Sequence, residues 1–103
     1  MDIPVFVYGT LMGNLNGNDG EFQHPCSTVK EYYKGFQSFY PFLKETEVED
    51  VGSEVIEGEL WLINEDSFKS IDRYEGYPEL FTRKMIEVEF ENTKTDAWCY
   101  FLV

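Results

Sequence analysis

The chain has 103 residues, enough for one domain, and its 43% hydrophobic and 17% aromatic content is enough for a single core. With 20 acidic against 8 basic residues the net charge is -12, which repels phosphate backbones and anionic headgroups and argues against nucleic acid and membrane surfaces as partners. No apolar run approaches the roughly 20 residues that span a bilayer, and Met1-Asp2-Ile3-Pro4 leads into a strand without a basic leader, so a single cytoplasmic domain over residues 1–103 is expected.

The first element is a strand over Ile3 to Tyr8, with Pro4 tolerable only at its start or on an edge. Val5-Phe6-Val7-Tyr8 has no polar alternation, the pattern of a strand buried on both faces. Gly9 ends it, where the backbone can turn or let a ligand approach. The N–H groups of Gly9, Thr10 and Leu11 then either form an anion site at a strand end or belong to an ordinary turn. Met12 to Glu21, with Gly13, Gly17 and Gly20 among asparagines, is a long loop that serves as a lid or merely as a connection. Its Asn14, Asn16, Asn18 and Gly20 lack the closing glutamate of a calcium loop. His24 is the only histidine, so a zinc site is not expected.

Thr28 to Leu43, rich in aromatic and β-branched residues, reads as two short strands joined or bent near Gly35. Lys44 to Ser53 is a charged, solvated loop. Strand character returns over Glu54 to Ile63, where Ile56, Gly58, Leu60 and Leu62 share a face, and Gly58 marks either a bulge or a close approach. Asn64 as cap, Glu65 and Asp66 in the first turn, and Gly76 with Pro78 beyond the end predict a helix over Glu65 to Glu75.

Phe68, Ile71 and Glu75 fall on one face of that helix. A carboxylate in line with an apolar stripe is either desolvated, which raises its pKa toward the range of a useful base or acid, or it bends into solvent or pairs with a cation such as Arg83. Phe81 to Phe90 alternates as a strand, with Ile86, Val88 and Phe90 opposite Arg83, Glu87 and Glu89. Asn92 to Asp96 is a polar turn, and Ala97 to Val103 a last strand apolar on both faces. Cys26 and Cys99, 73 positions apart, read as buried thiols rather than as a disulfide. About six strands and one main helix without βα alternation predict an α+β fold, a small, mostly antiparallel, strongly curved sheet or barrel.

Three stretches carry a resemblance. Val5-Phe6-Val7-Tyr8-Gly9-Thr10-Leu11, the Gly35-Phe36 to Tyr40-Pro41 segment, and Ile71-Asp72-Arg73-Tyr74-Glu75-Gly76 followed by Phe81-Thr82-Arg83 occur in the order found in the γ-glutamylcyclotransferase-like family, which includes AIG2-like and γ-glutamylamine cyclotransferase proteins. Gly58-Glu59-Leu60-Trp61 between them extends the likeness over nearly the whole chain. The resemblance implies a small mixed barrel with a flanking helix, Glu75 at the catalytic glutamate position, and Tyr8, Gly9, Thr10 and Leu11 as the substrate cradle. It also implies a small γ-glutamyl substrate, release of 5-oxoproline, and no cofactor or metal. Phe81 stands where many members have tyrosine, and with Ala97 to Val103 as the last strand no tail is expected over the cavity. A non-catalytic module that binds a small ligand in the same cavity is the alternative class.

Overall fold

The elements are β1 (Ile3–Val7), β2 (Gly20–Gln37), β3 (Tyr40–Lys44), β4 (Glu54–Ile63), α1 (Glu65–Glu75), β5 (Phe81–Phe90) and β6 (Thr93–Leu102). The computed structural model describes residues 2–9, 15–37, 40–44 and 52–103, the side chains of Gln37 and Tyr40 excepted. Five strands close a ring in the order β2-β4-β1-β6-β5, and β5 returns to β2 at Ser27↔Glu89 and Thr28↔Val88. β3 stands outside the ring as the hairpin partner of β2. Every pairing is antiparallel except that of β1 with β6, which makes the barrel mixed.

Alternation along each strand sorts side chains into two cores. Phe6, Cys26, Ile56, Leu60, Ile86, Val88, Ala97, Cys99 and Phe101 fill the barrel together with Leu43 of β3. On the outer wall, Val5, Val7, Trp61, Ile63 and Tyr100 meet Phe68 and Ile71 of α1. The double cover explains why β1 and the end of β6 show no polar alternation: one face looks into the barrel and the other lies under the helix. Burying Phe68 and Ile71 contributes roughly 1.5–3 kcal/mol each to docking α1. Both cysteines are free and buried, as expected, and burial followed by the nearby Glu59 pushes the Cys26 thiol up to about 11.

The helix has the predicted bounds and caps. Asn64 accepts from the Ser67 N–H at 2.8 Å, and Gly76 closes the helix in the left-handed region at φ 72°. Pro4 lies at the start of β1, which stops at Val7, one residue short of the expected end.

Three other boundaries differ. Gly35 is inside the β2–β3 ladder, opposite Phe42, rather than at the bend. β2 is one strand of 18 residues, carried through Gly20 and Pro25 by its pairing with β4. Its register slips between Ser27 and Glu31, and there the Thr28 hydroxyl accepts from Ile56 N–H at 3.0 Å and donates to the Lys30 carbonyl at 2.7 Å, serving groups the slip takes out of the regular ladder. The expected turn at 92–96 is a two-residue loop, Glu91-Asn92, with φ 48° and 65°, as a primed hairpin turn requires, and β6 already begins at Thr93. Most of the expected charged loop over 44–53, residues 45–51, lies outside the described residues.

Gly58 is a close approach, not a bulge. It pairs regularly with Cys26, and a Cβ there would sit 2.2 Å from the Val7 carbonyl oxygen and 2.8 Å from the Phe6 ring. The carbonyl belongs to a central strand and cannot yield. Gly58→Ala is therefore expected to destabilise the chain by about 2–3 kcal/mol, read as a lower midpoint in urea with an unchanged slope.

Candidate functional site

Tyr8 and Gly9 leave the end of β1, and Glu75 ends α1. The Tyr8 side chain packs against the barrel core. Its hydroxyl donates to the Tyr100 carbonyl at 2.6 Å, so the phenol ties the end of β1 to β6. Gly9 turns at φ 68°, and a Cβ on it would lie 2.2 Å from Cγ of Pro41 in β3. Only glycine satisfies both demands. Thr10 and Leu11, the rest of the expected cradle, lie outside the described residues.

Glu75 is half-buried, and desolvation raises its pKa from 4.5 to about 6. Its charge reaches both neighbouring phenols. Burial pushes the Tyr8 hydroxyl far above its ordinary range, and Cys99 and then Glu75 push it the same way. The Tyr100 hydroxyl is raised by burial, by Asp72 and also by Glu75, with Arg83 opposing. The fold thus brings positions 8 and 75 into one electrostatic neighbourhood.

Arg83 is not the partner of Glu75. Its Nε donates to Asp72 Oδ1 at 2.9 Å and its terminal nitrogen to Oδ2 at 3.3 Å, while its guanidinium lies 4.4, 4.6 and 4.7 Å from the ring centres of Phe68, Tyr77 and Trp98. The Tyr100 hydroxyl also donates to Asp72 Oδ1, at 2.5 Å. Among the described residues no cation is within ion-pair distance of Glu75.

Asp72 and Arg83 stand in the third stretch that carries the resemblance, but the sequence assigned Asp72 and Tyr100 no role and Arg83 only that of a cation for Glu75. Helical spacing offers a signal for Asp72, three residues before Glu75, and strand alternation puts Tyr100 on the same wall as Trp98. Neither pattern says that Arg83 crosses from β5 to the helix. The described part of the long loop is a connector: Asn64 N–H donates to the Asp19 carbonyl at 3.0 Å, and the Ser67 hydroxyl to the Asp19 carboxylate at 3.1 Å, at the far end of α1 from Glu75. A separate hollow of about 200 Å³ beside the β5–β6 turn, lined by His24, Glu89, Phe90 and Glu91 among others, includes neither Tyr8 nor Glu75. Among the described residues no group of three or more His, Cys, Asp or Glu side chains could hold a metal ion, and no helix is long and apolar enough to cross a membrane.

A closed mixed barrel of five strands with one outer helix, whose last turn sets a desolvated glutamate beside the glycine-ended first strand, defines the class. Residues 5–103 match the family described as Gamma-glutamyl cyclotransferase, AIG2-like, and the chain belongs to that family. It is 28% identical over 102 residues to a protein of Methanocaldococcus jannaschii named "Putative gamma-glutamylcyclotransferase", the match covering 94% of this chain and 82% of that one. The crystal structure of an AIG2-like protein from Mus musculus shares the fold, with a TM-score of 0.81 at 19% identity over 99% of this chain and 78% of that one. A structure described as a gamma-glutamyl cyclotransferase aligns with a TM-score of 0.74 at 11% identity, covering all of this chain and 68% of that one.

The raised pKa of Glu75 has a consequence for stability. Its ionised form is disfavoured on folding, so the contribution of Glu75 to stability is fully present below 4.5 and is lost as pH rises through about 6. Glu75→Gln removes that ionisation. The variant is expected to be more stable than the parent by about 1 kcal/mol at pH 7, after discounting for partial exposure. The gap in melting temperature should close between pH 6 and 4.5.

Proposed function

We propose that the chain is a γ-glutamyl cyclotransferase that acts on a γ-glutamyl-amine or γ-glutamyl-amino acid and releases 5-oxoproline with the corresponding amine. One observation carries the reading: Glu75, half-buried and without an ion-pair partner among the described residues, has its pKa raised to about 6 at the end of the helix that covers the strand running into the cradle. A group with that pKa is mostly ionised at neutral pH yet returns a proton readily.

The α-ammonium of the substrate cannot attack until it loses a proton. Glu75 accepts that proton, and the freed amine attacks the side-chain δ-carbonyl carbon, forming the ring C–N bond and a tetrahedral oxyanion. Protonated Glu75 then donates to the leaving nitrogen as its bond to carbon breaks. Of the three ammonium protons, one stays on the lactam nitrogen and two finish on the released ammonium, so the reaction balances without an added acid or base. The main-chain amides of Gly9, Thr10 and Leu11 hold the α-carboxylate or the oxyanion, and orienting amine against carbonyl lowers the barrier by several kcal/mol, on the order found for other positioned reactions. The Tyr8 hydroxyl is already engaged as a hydrogen-bond donor to the Tyr100 carbonyl, so Tyr8 contributes to the cradle through its backbone and by fixing the strand end.

A panel of γ-glutamyl compounds assayed for 5-oxoproline tests the reading. With whichever member turns over, Glu75→Gln should lose at least about 100-fold in kcat while ligand binding persists. The parent's kcat/KM should rise with pH through about 6, the limb vanishing in the variant. A folded variant with near-parental turnover would leave Glu75 structural, and a parent that turns over no member of the panel would leave the protein a binding module.

A further inference from the structure

Arg83 contacts the chain on both sides of Glu75 without touching Glu75 itself. Three residues before it, Asp72 takes two hydrogen bonds from the guanidinium; two residues after it, the Tyr77 ring lies 4.6 Å from the guanidinium. Phe68, on the same helical stripe as Glu75, forms another wall of the cage at 4.4 Å. The backbone around the helix end is tied as well, with Tyr77 N–H donating to the Asp72 carbonyl at 2.8 Å and Leu80 N–H to Gly76 at 2.8 Å. Tyr100 adds its hydroxyl to Asp72 from β6, while its carbonyl holds the Tyr8 hydroxyl. One carboxylate therefore connects the last turn of α1 to β5 and β6, and through Tyr100 to the end of β1.

We propose that Asp72, Arg83 and Tyr100 are positioning residues for the reaction: they lock the turn that carries Glu75 and keep the Arg83 guanidinium engaged with Asp72 and away from the Glu75 carboxylate. This rests on the cyclotransferase reading. The groups that face Glu75 are the phenols of Tyr8 from β1 and Tyr100 from β6, with the Asp72–Arg83 pair from its own helix and β5. A cation moved onto Glu75 would hold the carboxylate ionised and make it a poorer proton acceptor. Asp72 competes for that cation with two oxygens in a geometry matched to the guanidinium.

The test compares Asp72→Asn and Tyr100→Phe with the parent by thermal unfolding, by kcat and KM for 5-oxoproline release, and by pH profile. Tyr100→Phe deletes one hydroxyl and keeps the carbonyl that Tyr8 uses. Both variants are expected to fold, to lose about tenfold in kcat, and to keep KM within about twofold, because a small misplacement of the base weakens chemistry more than binding. In Asp72→Asn the acid limb should also move down from about 6, as Arg83 turns to Glu75. Variants that melt earlier yet keep kcat within twofold and an unmoved limb would reduce the trio to a structural strap and overturn the inference alone. If Asp72→Asn does not fold, the kcat and KM of Tyr100→Phe decide. A parent that releases no 5-oxoproline from any panel member overturns the functional reading, and the positioning role with it.

Discussion

From Val5 to Val7, β1 has no face left for water. One side chain, Phe6, goes into the barrel; its neighbours Val5 and Val7 go under α1; and both backbone edges have partners, antiparallel in β4 and parallel in β6. Much of the architecture follows from satisfying that strand. A parallel partner cannot come from a short hairpin, so the chain must leave and return between β1 and β6, and α1 lies on that path, covering the wall it helps to create. Gly58 is required because β4 approaches the end of β1 closely enough that a methyl group would meet the Val7 carbonyl.

The same burial sets the chemistry at the strand's end. Where β1 stops, Tyr8 turns inward and donates a hydrogen bond to the Tyr100 carbonyl, and Gly9 passes under Pro41 with a backbone no other residue adopts easily. The helix that covers β1 ends beside this point, so Glu75 arrives with part of its hydration already removed. Desolvation alone raises its pKa, and the cation best placed to lower it again is held by another carboxylate. The net charge of -12 makes this arrangement more telling. With 8 basic residues in the chain, committing Arg83 to Asp72 inside a cage of three rings leaves Glu75 to the effect of burial.

Local chemistry made some elements legible. The α1 bounds follow from Asn64, the acidic first turn and Gly76, because capping is decided within a few residues. β5 reads from its alternation, and the buried character of β1 from its lack of it. β2 was harder: Gly20 and Pro25 weaken it locally, and the pairing that sustains it comes from β4, more than 30 residues away. The β5–β6 turn was displaced for a related reason. Thr93 to Asp96 looks polar enough for a turn, but those residues face solvent from a strand whose ladder with β5 begins at Thr93.

The site divides along the same line. The order of the motifs carried the resemblance to the family, and the pattern of elements and helical spacing indicated the barrel with one helix and the alignment of Glu75 with Phe68 and Ile71, because spacing and chain order are properties of one dimension. What the tertiary structure alone decided is which charges meet. Arg83 had two carboxylates within a few residues of each other to choose from, Asp72 and Glu75, and nothing in their spacing separates them. The crossing of β5 over the helix end, the three rings around the guanidinium and the Tyr100 hydroxyl on Asp72 Oδ1 select Asp72, because a charge–charge contact depends on distance and desolvation, and both exist only once the barrel is closed.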